Sequence, residues 1–306
     1  MRFTIYQESR QGGRENNEDR IAYCYSREAL LMVVADGMGG HFYGEIASQI
    51  AVQTLTDTFQ REATPSLDDP FRFLQKGITN AHHAIIDYSN KHKLKDSPRT
   101  TCVACIIQDN IAYWAHVGDS RLYLMRNGKV IAQTRDHSRV RLLIEEGVIS
   151  EAQAATHPDR NKIYSCLGSL DLPPEIDFSR KTLLEKGDCL LLCTDGLWGV
   201  LSGDMMAVAL KGSNLMNTVP TLLTQAETKA GAHGDNLSVV AVRWEESYQD
   251  EAQSSISTQT MALNEVTTRF DEFGRNPGYK TELSDDEIEK AIAEIRTAID
   301  KYNPKK

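Results

Sequence analysis

Carboxylic acids stand beside strand-like apolar runs at five places along the chain: Glu18-Asp19, Asp36, Asp119, Asp195 and Asp235. An acid at such a position usually belongs to a surface turn. Strands of a sheet can nevertheless carry several acids to one edge, where the carboxylates repel one another unless a cation lies between them. Oxygen ligands without histidine favour Mg²⁺ or Mn²⁺ over zinc or copper. The recurrence therefore indicates a site for hard cations, and a pair of such ions can activate water for in-line attack on phosphorus.

The stretch VVADGMGG (33–40) allows three interpretations: a hairpin turn, a glycine-rich phosphate loop, or a metal ligand at the end of a strand. Asp36-Gly37 taken alone is typical of a turn. The phosphate loop is disfavoured, because the chain has no GxxxxGK[ST] and no GxGxxG opens the following helix. The recurrence of the pattern favours the metal ligand.

Arg14 lies just before the acidic pair at 18–19. A lone arginine is usually a solvated surface charge, but a guanidinium beside a metal site can hold phosphate oxygens in a bidentate fork. Rival chemistries lack their signatures: there is no CX5R thiol loop, no GxSxG elbow and no kinase HRD or DFG sequence. Arg14 is therefore the candidate phosphate ligand.

The bulk composition is that of a globular protein, with 306 residues, 41% hydrophobic, and a formal net charge of −9. Neither the body nor the acidic tail has the basic surplus of a nucleic-acid binder. No apolar run is long enough to span a membrane, and the N-terminus has no apolar signal core, so we expect a cytoplasmic protein with no membrane partner. The six cysteines offer only one CxxC pair, in a strand-like run, which predicts buried, reduced thiols.

Strand-like runs alternate with amphipathic helices over residues 1–244. Strands are predicted at 29–35, 101–108, 111–117, 121–133, 188–194 and 237–244. Asp109-Asn110 and Asn127-Gly128 suit two-residue hairpin turns, so at least part of the sheet is antiparallel. Helices are predicted at 44–60 and 71–91. The interval 137–175 reads as a helical insertion. Its second helical segment carries Glu151 and no basic residue before Arg160, which disfavours a DNA-reading helix-turn-helix.

The composition changes after Trp244. Residues 245–278 are polar and acidic and are predicted to be a flexible linker. Residues 279–306 predict an amphipathic helix, with Ser284 as N-cap and Glu287 completing a capping box. An isolated helix of this length is marginal in water, so its apolar stripe should be covered. The apolar stripe is then covered by the protein's own body, by a second copy of the chain or by a partner protein.

Seven blocks resemble those of the metal-dependent serine/threonine protein phosphatases of type 2C, in their compact bacterial form. They are GGRENNED (12–19), VVADGMGGHFYGEIAS (33–48), AHVGDSRLYLMRNG (115–128), TRDHSRVRLLIEEG (134–147), HPDRNKIYSCLG (157–168), LLLCTDGLWGVLS (191–202) and GDNLSVVAV (234–242). The blocks occur in family order across residues 1–244. One block would be weak evidence, but seven in order are highly specific.

The resemblance implies an α+β fold, with two stacked antiparallel sheets flanked on both faces by pairs of helices. It also implies a binuclear Mn²⁺ or Mg²⁺ centre and a third, weaker ion. The implied metal ligands are Glu18, Asp19, Asp36 as the bridge, the Gly37 carbonyl, Asp119, Asp195 and Asp235. Arg14 is implied as the phosphate clamp, and the 137–175 insertion as a flap beside the site.

The implied reaction is hydrolysis of phosphoserine and phosphothreonine in proteins, by single-step attack of a hydroxide that bridges the two ions. The implied partners are phosphoproteins and a serine/threonine kinase that the enzyme opposes. Animal-type members carry a histidine where this chain has Met38, which cannot donate a proton. The donor to the leaving group is then either a water on the third metal at Asp119 or His41. The alternative function is a catalytically silent scaffold or sensor that signals through its C-terminal helix.

Overall fold

A computed structural model describes residues 1–38, 43–154, 156–245, 256–257 and 266–270. Their strands are β1 (Arg2–Arg10), β2 (Asp19–Tyr25), β3 (Ala29–Met38), β4 (Arg99–Thr100), β5 (Cys102–Gln108), β6 (Ile111–Val117), β7 (Arg121–Arg126), β8 (Lys129–Gln133), β9 (Asp177–Phe178), β10 (Thr182–Leu183), β11 (Cys189–Cys193), β12 (Leu237–Trp244), β13 (Ile256–Ser257) and β14 (Thr267–Phe270). Their α-helices are α1 (Tyr43–Glu62), α2 (Pro70–His92), α3 (Arg139–Glu145), α4 (Glu151–Ala154), α5 (Asp195–Trp198), α6 (Gly203–Leu210) and α7 (Leu215–Ala230).

The strands form two antiparallel sheets. One has the order β13-β1-β12-β11-β7-β8, and the other the order β10-β6-β5-β3-β2-β14, with β4 and β9 attached at β3 and β6. Three apolar clusters hold the layers together: one lies between the sheets, one beneath α1 and α2, and one beneath α5, α6 and α7. The α+β sandwich implied by the resemblance is confirmed.

Local sequence explains several boundaries. Both predicted hairpin turns are present, with positive φ at Asp109, Asn110, Asn127 and Gly128, as a type I′ turn requires. Helix α2 begins after Asp69, whose side chain accepts hydrogen bonds from the N–H groups of residues 71 and 72. Strand β1 and helices α6 and α7 were not among the elements predicted from periodicity. None of the helices in the described ranges is both long and apolar enough to cross a bilayer.

The predicted linker 245–278 requires a correction. Ile256–Ser257 pairs with β1 and Thr267–Phe270 pairs with β2, so two parts of this range are strands. The physical reason is that β1 and β2 would otherwise end their sheets with unpaired backbone N–H and C=O groups. The predicted C-terminal helix at 279–306 lies outside the described residues.

The predicted reduced thiols are confirmed, since all six cysteines are free. Five of them are buried, as predicted, and Cys166 is only partly buried. The interval 137–175 contains α3 and α4 and no other helix or strand among its described residues. His82 of α2 anchors the end of this interval, because its Nδ1 accepts a hydrogen bond from the Gly168 N–H at 3.1 Å.

Candidate active site

A cavity of about 670 Å³ opens at one end of the two sheets. Seven of the predicted site residues line it, and Arg14 is the one cation of this set; they are Arg14, Glu18, Asp36, Gly37, Asp119, Asp195 and Asp235. Met38 and the flap residues Asn161 and Ile163 complete part of the wall. The structure therefore brings together residues that are up to 221 positions apart, as in the pair Arg14 and Asp235.

Asp19 and Asp36 lie directly opposite each other, because Asp19 begins β2 and Asp36 is its register partner near the end of β3. Asp19 is only 2% exposed and lies behind the cavity wall. Its Oδ2 accepts a hydrogen bond from Thr194 Oγ1 at 2.9 Å, whereas its Oδ1 is buried without a hydrogen-bond partner. A buried, unpaired carboxylate oxygen is costly unless a cation or proton compensates it.

Three further acids approach from the opposite sheet and its connections. Asp195 is the first residue of α5, two residues after the end of β11, and Asp235 stands two residues before β12. Asp119 occupies the turn between β6 and β7, where the chain passes from one sheet to the other. The cavity is thus built between the sheets, and each acid is placed by the end of a buried strand.

The loop that carries Arg14 is tied down by a residue that the sequence analysis missed. Asn236 is 6% exposed, and its Nδ2 donates to the carbonyls of Gln11 and Asn16 at 2.8 and 2.9 Å. Its Oδ1 accepts from the Glu18 N–H at 2.9 Å. One amide therefore fixes the loop between β1 and β2 on both sides of Arg14. Its position next to Asp235 was the only signal available.

Thr101 connects Asp36 with the Asp119 turn, and it was also missed. Its Oγ1 accepts from the Asp36 N–H at 3.0 Å and lies 2.7 Å from Ser120 Oγ. Its N–H donates to the Asp36 carbonyl at 2.9 Å, and the Thr100 hydroxyl donates to the same carbonyl at 2.8 Å. Thr100 and Thr101 thus hold the backbone of Asp36.

The carboxyl groups of the site perturb one another. Burial raises the pKa of Asp19 to about 7, and the charges of Asp195 and Asp235 add to the shift. Burial, with repulsion from Asp195, raises the pKa of Asp119 to about 8. The pKa of Asp36 lies well above its ordinary value for the same two reasons, burial first and then repulsion from Asp19. This is the electrostatic signature of acids crowded together without enough positive charge.

Glu18 and Asp195 show the same effect. Burial raises the pKa of Asp195 to about 6, with Asp235 the next cause. Burial also raises the pKa of Glu18 to about 7, with Glu45 the next cause. Arg14, the one arginine among the described residues of the wall, is paired with Asp235, and the pKa values of Glu18 and Asp195 stay raised although its charge lowers them.

These residues fit a group of hard cations. The donors are carboxylate oxygens, the Asp19 Oδ1 atom has no other partner, and the excess of negative charge requires compensation. The backbone at Gly37 leaves no room for a side chain, since a Cβ there would lie 2.3 Å from the Gly44 carbonyl oxygen and 2.6 Å from that of Glu18. Glycine at 37 therefore lets the end of β3 pack closely against the backbone of Gly44 and Glu18.

His41 lies outside the described residues. Met38, which takes the place of a possible acid, lines the cavity, so no proton donor stands at that position.

Comparison with known proteins agrees with this geometry. The sequence matches the family described as protein phosphatase 2C over residues 7–230. The serine/threonine phosphatase Stp of Listeria monocytogenes serotype 4b is 34% identical over 234 residues, which are 75% of this chain and 90% of that protein.

Solved structures of two serine/threonine phosphatases are among those that share this fold. The serine/threonine phosphatase of S. agalactiae superposes with a TM-score of 0.73 at 32% identity, covering 79% of this chain and all of the other. The catalytic domain of the serine/threonine phosphatase PstP, in complex with two manganese ions, gives a TM-score of 0.68 at 29% identity, covering 80% and 99%. The family match begins within β1 and ends with α7, so it includes strands of both sheets and most residues of the cavity wall. The chain therefore belongs to the protein phosphatase 2C family, the metal-dependent phosphatases of protein serine and threonine.

Proposed function

We propose that the cavity carboxylates hold two Mn²⁺ or Mg²⁺ ions, with a third, weaker one, and that the enzyme hydrolyses phosphoserine and phosphothreonine there in a single displacement. The observation that carries the proposal is the meeting of Asp19 and Asp36 with acids from the other sheet around one cavity. Manganese in the related PstP structure supports the choice of ion.

Each residue has a proposed role. Asp36 would be shared by the two ions, Asp19 and Glu18 would hold one of them, and Asp195 and Asp235 would hold the other. The Gly37 carbonyl is a further ligand, and Asp119 with Asp195 holds the weaker ion. When bound, the ions supply an activated water and neutralise the charge that develops on the phosphoryl group.

Arg14 is proposed to grip the non-bridging oxygens of the phosphate. It stands at the cavity wall with more than half of its side chain exposed, so an incoming phosphate can reach it. Its planar fork already holds a carboxylate through Nε and Nη2, and a phosphate presents the same pair of acceptors. The residue therefore orients the phosphoryl group and stabilises its charge during displacement.

The described residues that line the cavity include no cysteine, serine or histidine that could form a phosphoenzyme. This supports direct attack by water. Protonation of the leaving oxygen stays a prediction, with the weaker ion at Asp119 and with His41 as the two sources. The kinase partner, the cytoplasmic location and the role of the C-terminal segment also stay predictions from the sequence.

The experiment is turnover of a phosphothreonine peptide with added Mn²⁺ and with EDTA. We expect hydrolysis only with Mn²⁺, and a loss of at least a hundredfold in Asp36→Asn. The control is Asp204→Asn, an exposed acid on α6 outside the cavity, which should match the wild type. Binding of Mn²⁺ without any turnover by the wild type would contradict the proposal and favour the silent scaffold.

A further inference from the structure

His137 makes an unusual set of contacts at the base of the 137–175 flap. It is 1% exposed and belongs to the DHS sequence just before α3. Its N–H donates to the Gly118 carbonyl at 2.9 Å, and its ring Nδ1 accepts from the Gly118 N–H at 3.2 Å. One histidine therefore satisfies both backbone groups of Gly118, the residue before Asp119.

Gly118 has little freedom on its other side. Its φ of +99° is open to glycine and strained for other residues, and a Cβ there would lie 2.6 Å from Thr101 Cγ2. Ser120, on the far side of Asp119, lies against the Thr101 hydroxyl. The turn 118–120 is thus held between Thr101 and His137, and Asp119 points from this turn to the cavity wall.

The remaining contacts of His137 lead into the flap. Its carbonyl accepts from the Tyr164 N–H at 2.9 Å, and the Tyr164 ring stacks on the imidazole at 5.5 Å between centroids. On the other side, the imidazole lies 4.8 Å from the His116 ring. His137 is therefore the residue at which the flap and the Asp119 turn meet.

A metal site is the obvious alternative for this cluster. His116, His137 and Asp177 offer three ligand atoms within 4.8 Å of one another, the one such group of histidine, cysteine and acidic ligands found among the described residues. The Gly118 contact argues against it. Because Nδ1 of His137 accepts a hydrogen bond, the ring proton lies on Nε2, which faces the Asp177 carboxylate at 3.4 Å. A metal at Nε2 would require the ring proton to move to Nδ1, which would break the hydrogen bond from Gly118.

We propose that His137 is a positioning residue that fixes the backbone of Gly118 and thereby holds the Asp119 carboxylate at the cavity, so that the base of the flap sets the affinity of the weaker cation. The inference rests on the proposed function, because it assumes that Asp119 is a metal ligand. Partners of this kind, one step removed from the metal, typically change metal affinity by about ten- to a hundredfold when they are lost.

A matched pair of variants separates this role from simple packing. In His137→Asn the amide oxygen takes the place of Nδ1 and can still accept from Gly118. In His137→Gln the amide group reaches the place of Nε2, towards Asp177, and leaves the Gly118 N–H unpaired. Both variants lose the imidazole and its stacking on Tyr164, so a merely structural role would affect them alike.

The readout is Mn²⁺ binding to the full chain, followed through the electron paramagnetic resonance of free Mn²⁺, beside a thermal melt. We expect two tight ions in the wild type and in both variants. The dissociation constant of the weaker ion should rise about ten- to a hundredfold in His137→Gln. It should stay within about threefold of the wild type in His137→Asn and in Asp177→Asn.

The inference would be overturned if His137→Asn and His137→Gln weakened binding of the third Mn²⁺ ion equally, or if the wild type bound only two ions. Should His137→Gln fail to fold, ¹⁵N spectra of the wild-type histidines decide the point. They should show an unprotonated Nδ1 at His137, and a protonated Nδ1, or Zn²⁺ bound by the imidazole, would overturn the inference. Failure of the proposed function is a separate outcome, because the wild type would then bind no Mn²⁺ and hydrolyse no phosphothreonine peptide.

Discussion

Arg14 and Asp235 form a bidentate ion pair at the wall of the cavity, with Nε to Oδ1 at 2.8 Å and Nη2 to Oδ2 at 2.6 Å. The pair links the proposed phosphate clamp to a proposed metal ligand. A cation at Asp235 competes for the same carboxylate oxygens, so metal binding and release of the guanidinium are coupled. Phosphate should therefore bind tightly only after the metal.

The first prediction concerns this clamp. Arg14→Met should raise the KM for a phosphothreonine peptide about ten- to a hundredfold, because a hydrogen-bonded charge pair contributes about 1.5–3 kcal/mol. The measurement is steady-state kinetics at saturating Mn²⁺. Arg10→Met is the control, since Arg10 pairs with Glu8 and Glu227 outside the cavity and should leave KM unchanged. An unchanged KM in Arg14→Met would show that Arg14 does not bind the phosphate.

The second prediction concerns Thr101. Thr101→Val removes the acceptor of the Asp36 N–H and the partner of Ser120, and it should lower the free energy of unfolding by about 1–3 kcal/mol, the cost of an unsatisfied buried group. Turnover should fall as well, because Asp36 loses its fixed backbone. Thr101→Ser keeps the hydroxyl and should retain most of the stability and most of the turnover. Urea unfolding and turnover check this, and indistinguishable Val and Ser variants would refute it.

The third prediction concerns pH in the metal-free protein. The folded-state pKa values of Asp19, Asp119 and Asp195 are raised to about 7, 8 and 6, so the folded state retains protons that the unfolded state has lost. The slope of stability against pH is then negative, about 1.4 kcal/mol per pH unit for each retained proton.

In EDTA, the melting temperature should therefore fall as the pH rises from about 4 to 8, the interval between the unfolded and folded pKa values. Saturating Mn²⁺ should reduce the fall, because the ions compensate the carboxylate charge. A metal-free protein that becomes more stable over this interval would show that the carboxylates are not crowded.

The fourth prediction concerns the tail. A chain that ends at residue 245 loses the strands that pair with β1 and β2, whereas a chain that ends at residue 270 keeps both. We expect the shorter chain to unfold at lower urea and to aggregate through the exposed sheet edges. The chain 1–270 should resemble the full protein in stability and in hydrolysis of small substrates. Equal stability of the two truncations would show that the added strands contribute nothing.

The sequence predicted the acids of the site because each stands beside an apolar run, and strands of both sheets end at the same cavity. It did not predict Thr101 or Asn236, because a threonine before a strand and an asparagine in a loop are common and carry no pattern of their own. Their roles depend on which strands become neighbours. The strands at 256–257 and 267–270 were not predicted for a similar reason, because they are short and their backbones pair only where β1 and β2 offer free edges.

The most direct measurement is a crystal structure of the protein soaked in Mn²⁺, with anomalous scattering recorded at the manganese edge. The account predicts two strong peaks in the cavity, about 3.5–4 Å apart, as in two-metal sites, and flanked by the carboxylates of Asp19, Asp36, Asp195 and Asp235. A weaker third peak should lie near Asp119. A cavity without peaks, or manganese bound at His116, His137 and Asp177 instead, would contradict it.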